Sequence, residues 1–144
     1  HYAQMIKADK LKPIEVYPKE SNKNPKAIWD IKDAKVVRNG KNVEVYMIAV
    51  RSSFDPWKIE ANKGDKVTIY LTNIEQTTDE LHGFGLNEYN INVVVDPGET
   101  KTIEFVADKA GVYPYYCTNF CSALHQEMQG YLLVKGSGGA SGGK

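Results

Sequence analysis

Side chains able to hold a soft metal are scarce in this sequence: 2 cysteines, 3 histidines and 3 methionines in 144 residues. Long apolar runs are missing too, and none approaches the roughly 20 residues that a bilayer-spanning helix requires. No signal-peptide pattern is read at the start of the chain. Charge of one sign is absent, because 18 Lys and Arg balance 18 Asp and Glu. Nucleic acid and anionic membrane surfaces are therefore not expected as partners. Internal repeats and strand–helix–strand alternation are lacking as well, which argues against Rossmann and thioredoxin-like folds. What remains is a chain of ordinary apolar content, long enough for one domain with a core of its own. Two cysteines alone do not fix a redox compartment.

The chain divides by composition. Residues 1–33 carry Lys12-Pro13, Tyr17-Pro18 and Asn24-Pro25 among frequent charges, which breaks any helix. They read as an extended arm or interdomain linker, with Trp29 and Ile31 pinning its end to the domain. Residues 34–135 form the domain proper. Residues 136–144 are almost all Gly and Ser and read as a flexible tail. The start at His1, without Met, suggests a processed protein or a piece of a longer one.

From residue 34 the periodicity is that of strands. Segments 34–37 and 43–50 flank Asn39-Gly40, a strong hairpin signal. Val43, Val45, Met47 and Ala49 alternate with Glu44, Tyr46 and Ile48, and Val67, Ile69 and Leu71 alternate with Thr68, Tyr70 and Thr72. Further strands are expected over 57–60, 82–86, 91–95, 100–106, 112–116 and 131–134, with Asp96-Pro97-Gly98-Glu99 as a turn. Short strands at this spacing predict an all-β antiparallel sandwich. The one helical candidate is 122–129.

The scarce ligands are not scattered. Both cysteines fall in 117–128, with one histidine and one methionine, as Cys117-x3-Cys121-x3-His125-x2-Met128. Thiolate, imidazole and thioether are donors that soft transition metals prefer. A short disulfide, plain buried thiols, and a tetrahedral zinc site made by Cys117, Cys121, His125 and His82 are the alternatives. Met128 weakens the zinc reading, because thioether suits copper better; its bland role is to fill the core. His82 begins a short strand, and Gly83 and Gly85 leave room for close backbone approach. Two thiolates in one loop can bridge two coppers, and each copper then needs one imidazole. His82 and His125 supply them.

These residues resemble the binuclear CuA centre of the nitrous-oxide reductase family. The segments GVYPYYC at 111–117, FCSALHQEM at 120–128, DELHGF at 79–84 and VYM at 45–47 carry the likeness. It implies a cupredoxin-like Greek-key β-sandwich. It also implies roles: Cys117 and Cys121 bridging two copper ions, His82 and His125 each ligating one, Met128 a weak ligand to one copper and the backbone carbonyl of Asn119 a weak ligand to the other. The family usually has Trp at that last position; a carbonyl donor survives the change to Asn119, the packing of a large aromatic does not. In such a site one electron is spread over two metals and two sulfurs, which suits relay rather than bond-making chemistry.

The resemblance further implies a periplasmic protein that takes electrons from a cytochrome c or small copper protein. It would pass them to a catalytic copper cluster in a propeller domain, on the partner subunit of a head-to-tail homodimer. This chain alone is then an electron-transfer domain that does not itself reduce N2O. His1, followed by Tyr2 and Met5, resembles the domain junction that supplies a ligand to that cluster. A cytochrome oxidase subunit II-type domain and a copper chaperone are the competing expectations. Phe84, Phe120 and Leu124 are expected to form an apolar docking patch, rimmed by Glu75, Asp79, Glu80 and Glu88.

Overall fold

The computed structural model describes residues 22–50, 53–75, 81–117 and 129–136. Two five-stranded sheets face each other. The first contains β1 (Lys35–Asn39), β2 (Asn42–Val50), β3 (Ser53–Asp55), β5 (Asp65–Asn73) and β8 (Thr100–Ala107). The second contains β4 (Lys58–Asn62), β6 (His82–Leu86), β7 (Ile91–Val95), β9 (Gly111–Tyr116) and β10 (Gln129–Lys135). Their orders are β1-β2-β5-β8, with β3 on the free part of β2, and β4-β10-β9-β6-β7.

The expected sandwich forms, but its sheets are mixed rather than antiparallel throughout. β2 runs parallel to β5, and β10 parallel to β4. A parallel neighbour requires the chain to cross over before it returns. The β2-to-β5 connection does so through β3 and β4, which are added to different sheets.

Side-chain alternation explains the layering. Val43, Val45 and Met47 of β2 point inward, and Val67, Ile69 and Leu71 of β5 lie beside them on the same face. Ile59, Leu132 and Val134 supply the opposing face. Each such side chain contributes about 1.5–3 kcal/mol by leaving water. In β7 the inward set is Ile91, Val93 and Val95, while Val94 is exposed. Asn39-Gly40 does close the β1–β2 hairpin, with Asn39 opposite Asn42 and Gly40 at φ 65°.

Two expectations are corrected and one strand is added. Ile31 is 50% exposed and does not pin the arm. Trp29, the other expected pin, is half-buried, and polar contacts also hold the described end of the arm. Asn22 Nδ2 donates to Gly98 O and Thr100 Oγ1, each at 2.9 Å, and Lys26 lies over the Tyr46 and Tyr70 rings. Gln129, the end of the expected helix, begins β10; residues 122–128 lie outside the described set. β3 was not expected, because three residues are too few to show a period. It carries Phe54, 2% exposed, which meets Phe84 and Tyr115 edge-on at 5.5 and 5.9 Å. Those rings form an aromatic layer between the two sheets. Tyr115 is fully buried, and its hydroxyl donates to Pro56 O at 2.9 Å.

Gly130 is where β10 fits over that layer. A Cβ there would lie 2.2 Å from Trp57 O and 2.6 Å from the Tyr115 ring. Backbone and a buried ring have little freedom to yield, so Gly130→Ala should destabilise the fold by roughly 1–3 kcal/mol or more. A urea titration checks this: the midpoint should fall while the slope stays unchanged.

Candidate metal centre

Sheet register decides which candidate ligands come together. β9 ends at Tyr116, which pairs with Gly85 of β6 on one side and with Gln129 of β10 on the other. Because β6 runs antiparallel to β9, its start lies at the end where β9 finishes. His82 is the first residue of β6 and Cys117 the first after β9. Gln129 follows directly on Met128. One end of the second sheet therefore gathers His82, Cys117 and the return of the segment that carries the remaining ligands.

His82 is fully buried, and its Nε2 shares a hydrogen bond of 2.9 Å with Glu75 Oε2. An ionised carboxylate only accepts, so the ring N–H on Nε2 is the donor. Cys117 is 4% exposed and also hydrogen-bonds the His82 ring. Burial alone would push the imidazole pKa down. The hydrogen bonds and negative charge of Cys117 and Glu75 outweigh it and raise the pKa above its ordinary 6.5.

These residues fit a copper. A histidine anchored on a carboxylate through one nitrogen and offering the other is the arrangement that metal-bound imidazoles use. With Nε2 engaged by Glu75, Nδ1 is the ring nitrogen that could take a metal. A thiol within hydrogen-bond reach adds the soft donor. Of the expected set, the structure brings His82 and Cys117 together. Asn119, Cys121, His125 and Met128 lie outside the described residues, as does His1. Among the described residues no group of three or more His, Cys, Asp or Glu side chains is gathered.

The expected docking patch is corrected. Phe84 is fully buried in the aromatic layer, 5.2 Å from Tyr115. Glu75 serves His82 rather than a rim, and Glu88 pairs with Lys109. Phe120, Leu124, Asp79 and Glu80 lie outside the described residues. Sequence reasoning missed Glu75 as a partner of His82. Its signal was weak but present: Asn73 at the end of an alternating strand is a turn-former. Asn73 Oδ1 accepts from Glu75 N at 2.9 Å and turns the chain back toward β6.

The cupredoxin-like domain model matches residues 20–134. The chain belongs to the cupredoxin-like family. Within that family it is 40% identical over 131 residues to the nitrous-oxide reductase of Cupriavidus necator, a match covering 91% of this chain and 20% of that protein. The chain thus spans about a fifth of that relative. It is also 31% identical over 136 residues to cytochrome c oxidase subunit 2 of Thermus thermophilus, covering 94% of this chain and 95% of that protein. A heme-copper terminal oxidase dimer shares the fold at a TM-score of 0.60 and 22% identity, covering 92% of this chain and 86% of that one. Among the described residues, no helix of this cupredoxin-like domain is long and apolar enough to cross a membrane.

The raised pKa of His82 has a consequence for the metal-free protein. The folded state holds this proton more tightly than the unfolded chain does. The resulting stabilisation is complete below about pH 6.5, the unfolded value, and is lost as the pH rises through the higher folded value. Urea midpoints taken across this range should fall with rising pH, and Glu75→Gln should flatten the decline.

Proposed function

We propose that this cupredoxin-like domain is a binuclear copper electron-transfer domain of the nitrous-oxide reductase type. The observation that carries the reading is the buried His82, with one ring nitrogen on Glu75 and Cys117 beside it, at the sheet end where Tyr116 and Gln129 flank the Cys-x3-Cys-x3-His-x2-Met segment. In this reading the thiolates of Cys117 and Cys121 would hold both copper ions, His82 and His125 would hold one each, and Met128 and the backbone carbonyl of Asn119 would be weak ligands. The copper pair would supply one-electron transfer.

The chain's own residues make that relay fast by staying still. The sheet fixes Cys117 and His82, and Glu75 fixes the ring, so few groups must move when charge arrives. The electron donor is a cytochrome c or a small copper protein. The acceptor is a catalytic copper cluster in a propeller domain, reached on the partner subunit of a head-to-tail homodimer, where N2O is reduced to N2. The location is periplasmic. The 40% identity to the Cupriavidus reductase supports this assignment. A subunit 2-type oxidase domain is the second reading, favoured by the near end-to-end match to the Thermus protein.

Copper titration followed by EPR tests the centre. Two coppers per chain with hyperfine splitting from two equivalent nuclei are expected. Splitting from one nucleus, or an EPR-silent protein holding zinc, would overturn the reading. Binding should also weaken on acidification, because the proton held on His82 must leave first. The chain alone should show no N2O reduction, and turnover by it would refute the relay assignment.

A further inference from the structure

We propose that Asn73 is a positioning residue for the metal centre: braced from outside by Asn22, it holds Glu75 against His82. The inference rests on His82 being a metal ligand, as proposed above, but its geometry does not depend on the metal. Asn73 is fully buried at the end of β5. Its Nδ2 donates to Val95 O at 2.9 Å, and its Oδ1 accepts from Glu75 N at 2.9 Å. Its backbone N–H donates to Glu99 O at 3.0 Å, and its carbonyl accepts from Gly98 N at 2.7 Å. Val95 is the register partner of His82 in the β6–β7 ladder. One amide therefore grips both the strand opposite the imidazole and the residue whose carboxylate holds it.

A buried amide is costly unless its hydrogen bonds are made, so these contacts act together or not at all. With its N–H fixed by Asn73, Glu75 can place its carboxylate on Nε2 without a search. The brace comes from the arm. Asn22 holds Gly98 O and Thr100 Oγ1, and Thr100 Oγ1 is 2.7 Å from Thr72 Oγ1, one residue before Asn73. Hydrogen bonds and the backbone between them thus link the arm to the imidazole.

The test uses the metal-free protein and the solvent-exchange rate of the His82 Nε2 proton, read by NMR. In the wild type this proton should exchange slowly. Glu75→Ala should speed its exchange at least tenfold, and Glu75→Gln, whose carbonyl still accepts, should restore most of the protection. Asn73→Ser, with Glu75 intact, should behave like Glu75→Ala while amides of the core, such as Val45, keep their protection. Asn22→Ala should give a smaller acceleration of the same proton. If Asn73→Ser folds and the proton keeps its wild-type rate, the proposal is overturned. If that variant does not fold, Asn22→Ala decides, and a wild-type rate there overturns it. Because no metal is present, a failed copper titration leaves this result untouched, and the reverse also holds.

Discussion

Tyr116 is held in register by Gly85 on one side and Gln129 on the other, and the candidate metal centre depends on that double pairing. A central strand has no freedom to slide, because a shift of one residue would turn every side chain to the opposite face. β9 is therefore locked by two neighbours, and the point where it ends is fixed. Cys117 leaves the sheet there, and His82 enters β6 at the same end. The chain between 117 and 129 begins and finishes on paired strands, so its ends are fixed, and it carries most of the proposed ligands. Rigidity at the site is in this sense a property of the sheet.

The polar groups around His82 obey a second constraint. A fully buried imidazole must have its nitrogens satisfied, and a largely covered carboxylate gains from a donor. Glu75 and His82 answer each other, and Asn73 fixes the chain that joins them. The raised His82 pKa is a consequence of this arrangement, since negative partners overcome desolvation. In the proposed centre, copper and proton would compete for one imidazole. The same contacts that orient the ligand in the bound state stabilise the protonated ring in the metal-free one.

Much of this was legible in the sequence, for identifiable reasons. Period-two alternation exposed β2 and β5, Asn39-Gly40 marked the hairpin, and β6 and β7 were found at their observed bounds. The clustering of scarce ligands pointed to His82 and Cys117 before any geometry was known. What was hidden depends on contacts remote in sequence. Phe54 sits on a strand of three residues, too short for a pattern. Only the turn-former Asn73 two residues earlier distinguishes Glu75 from Glu88, yet one meets a buried imidazole and the other a surface lysine. Parallel pairing of β2 with β5 and of β4 with β10 is likewise a matter of topology, because a strand's alternation does not record the direction of its neighbour.

Phe84 shows most clearly how core and site are joined. From the sequence it stood among apolar residues near the metal loops and suggested an exposed docking patch. In the structure it fills the aromatic layer with Phe54 and Tyr115. Side chains two apart on a strand share a face, so Phe84 lies on the same face of β6 as His82. Tyr115 stands in the same two-residue relation to Cys117, just past the end of β9. Each ligand is thus the next step along the chain from a ring packed in the core. Any change that shifts those rings must tilt the strands under the ligands. The close packing of that layer, including the tight seat of Gly130 against Tyr115 and Trp57, serves as the floor of the candidate metal centre as well as part of the hydrophobic core.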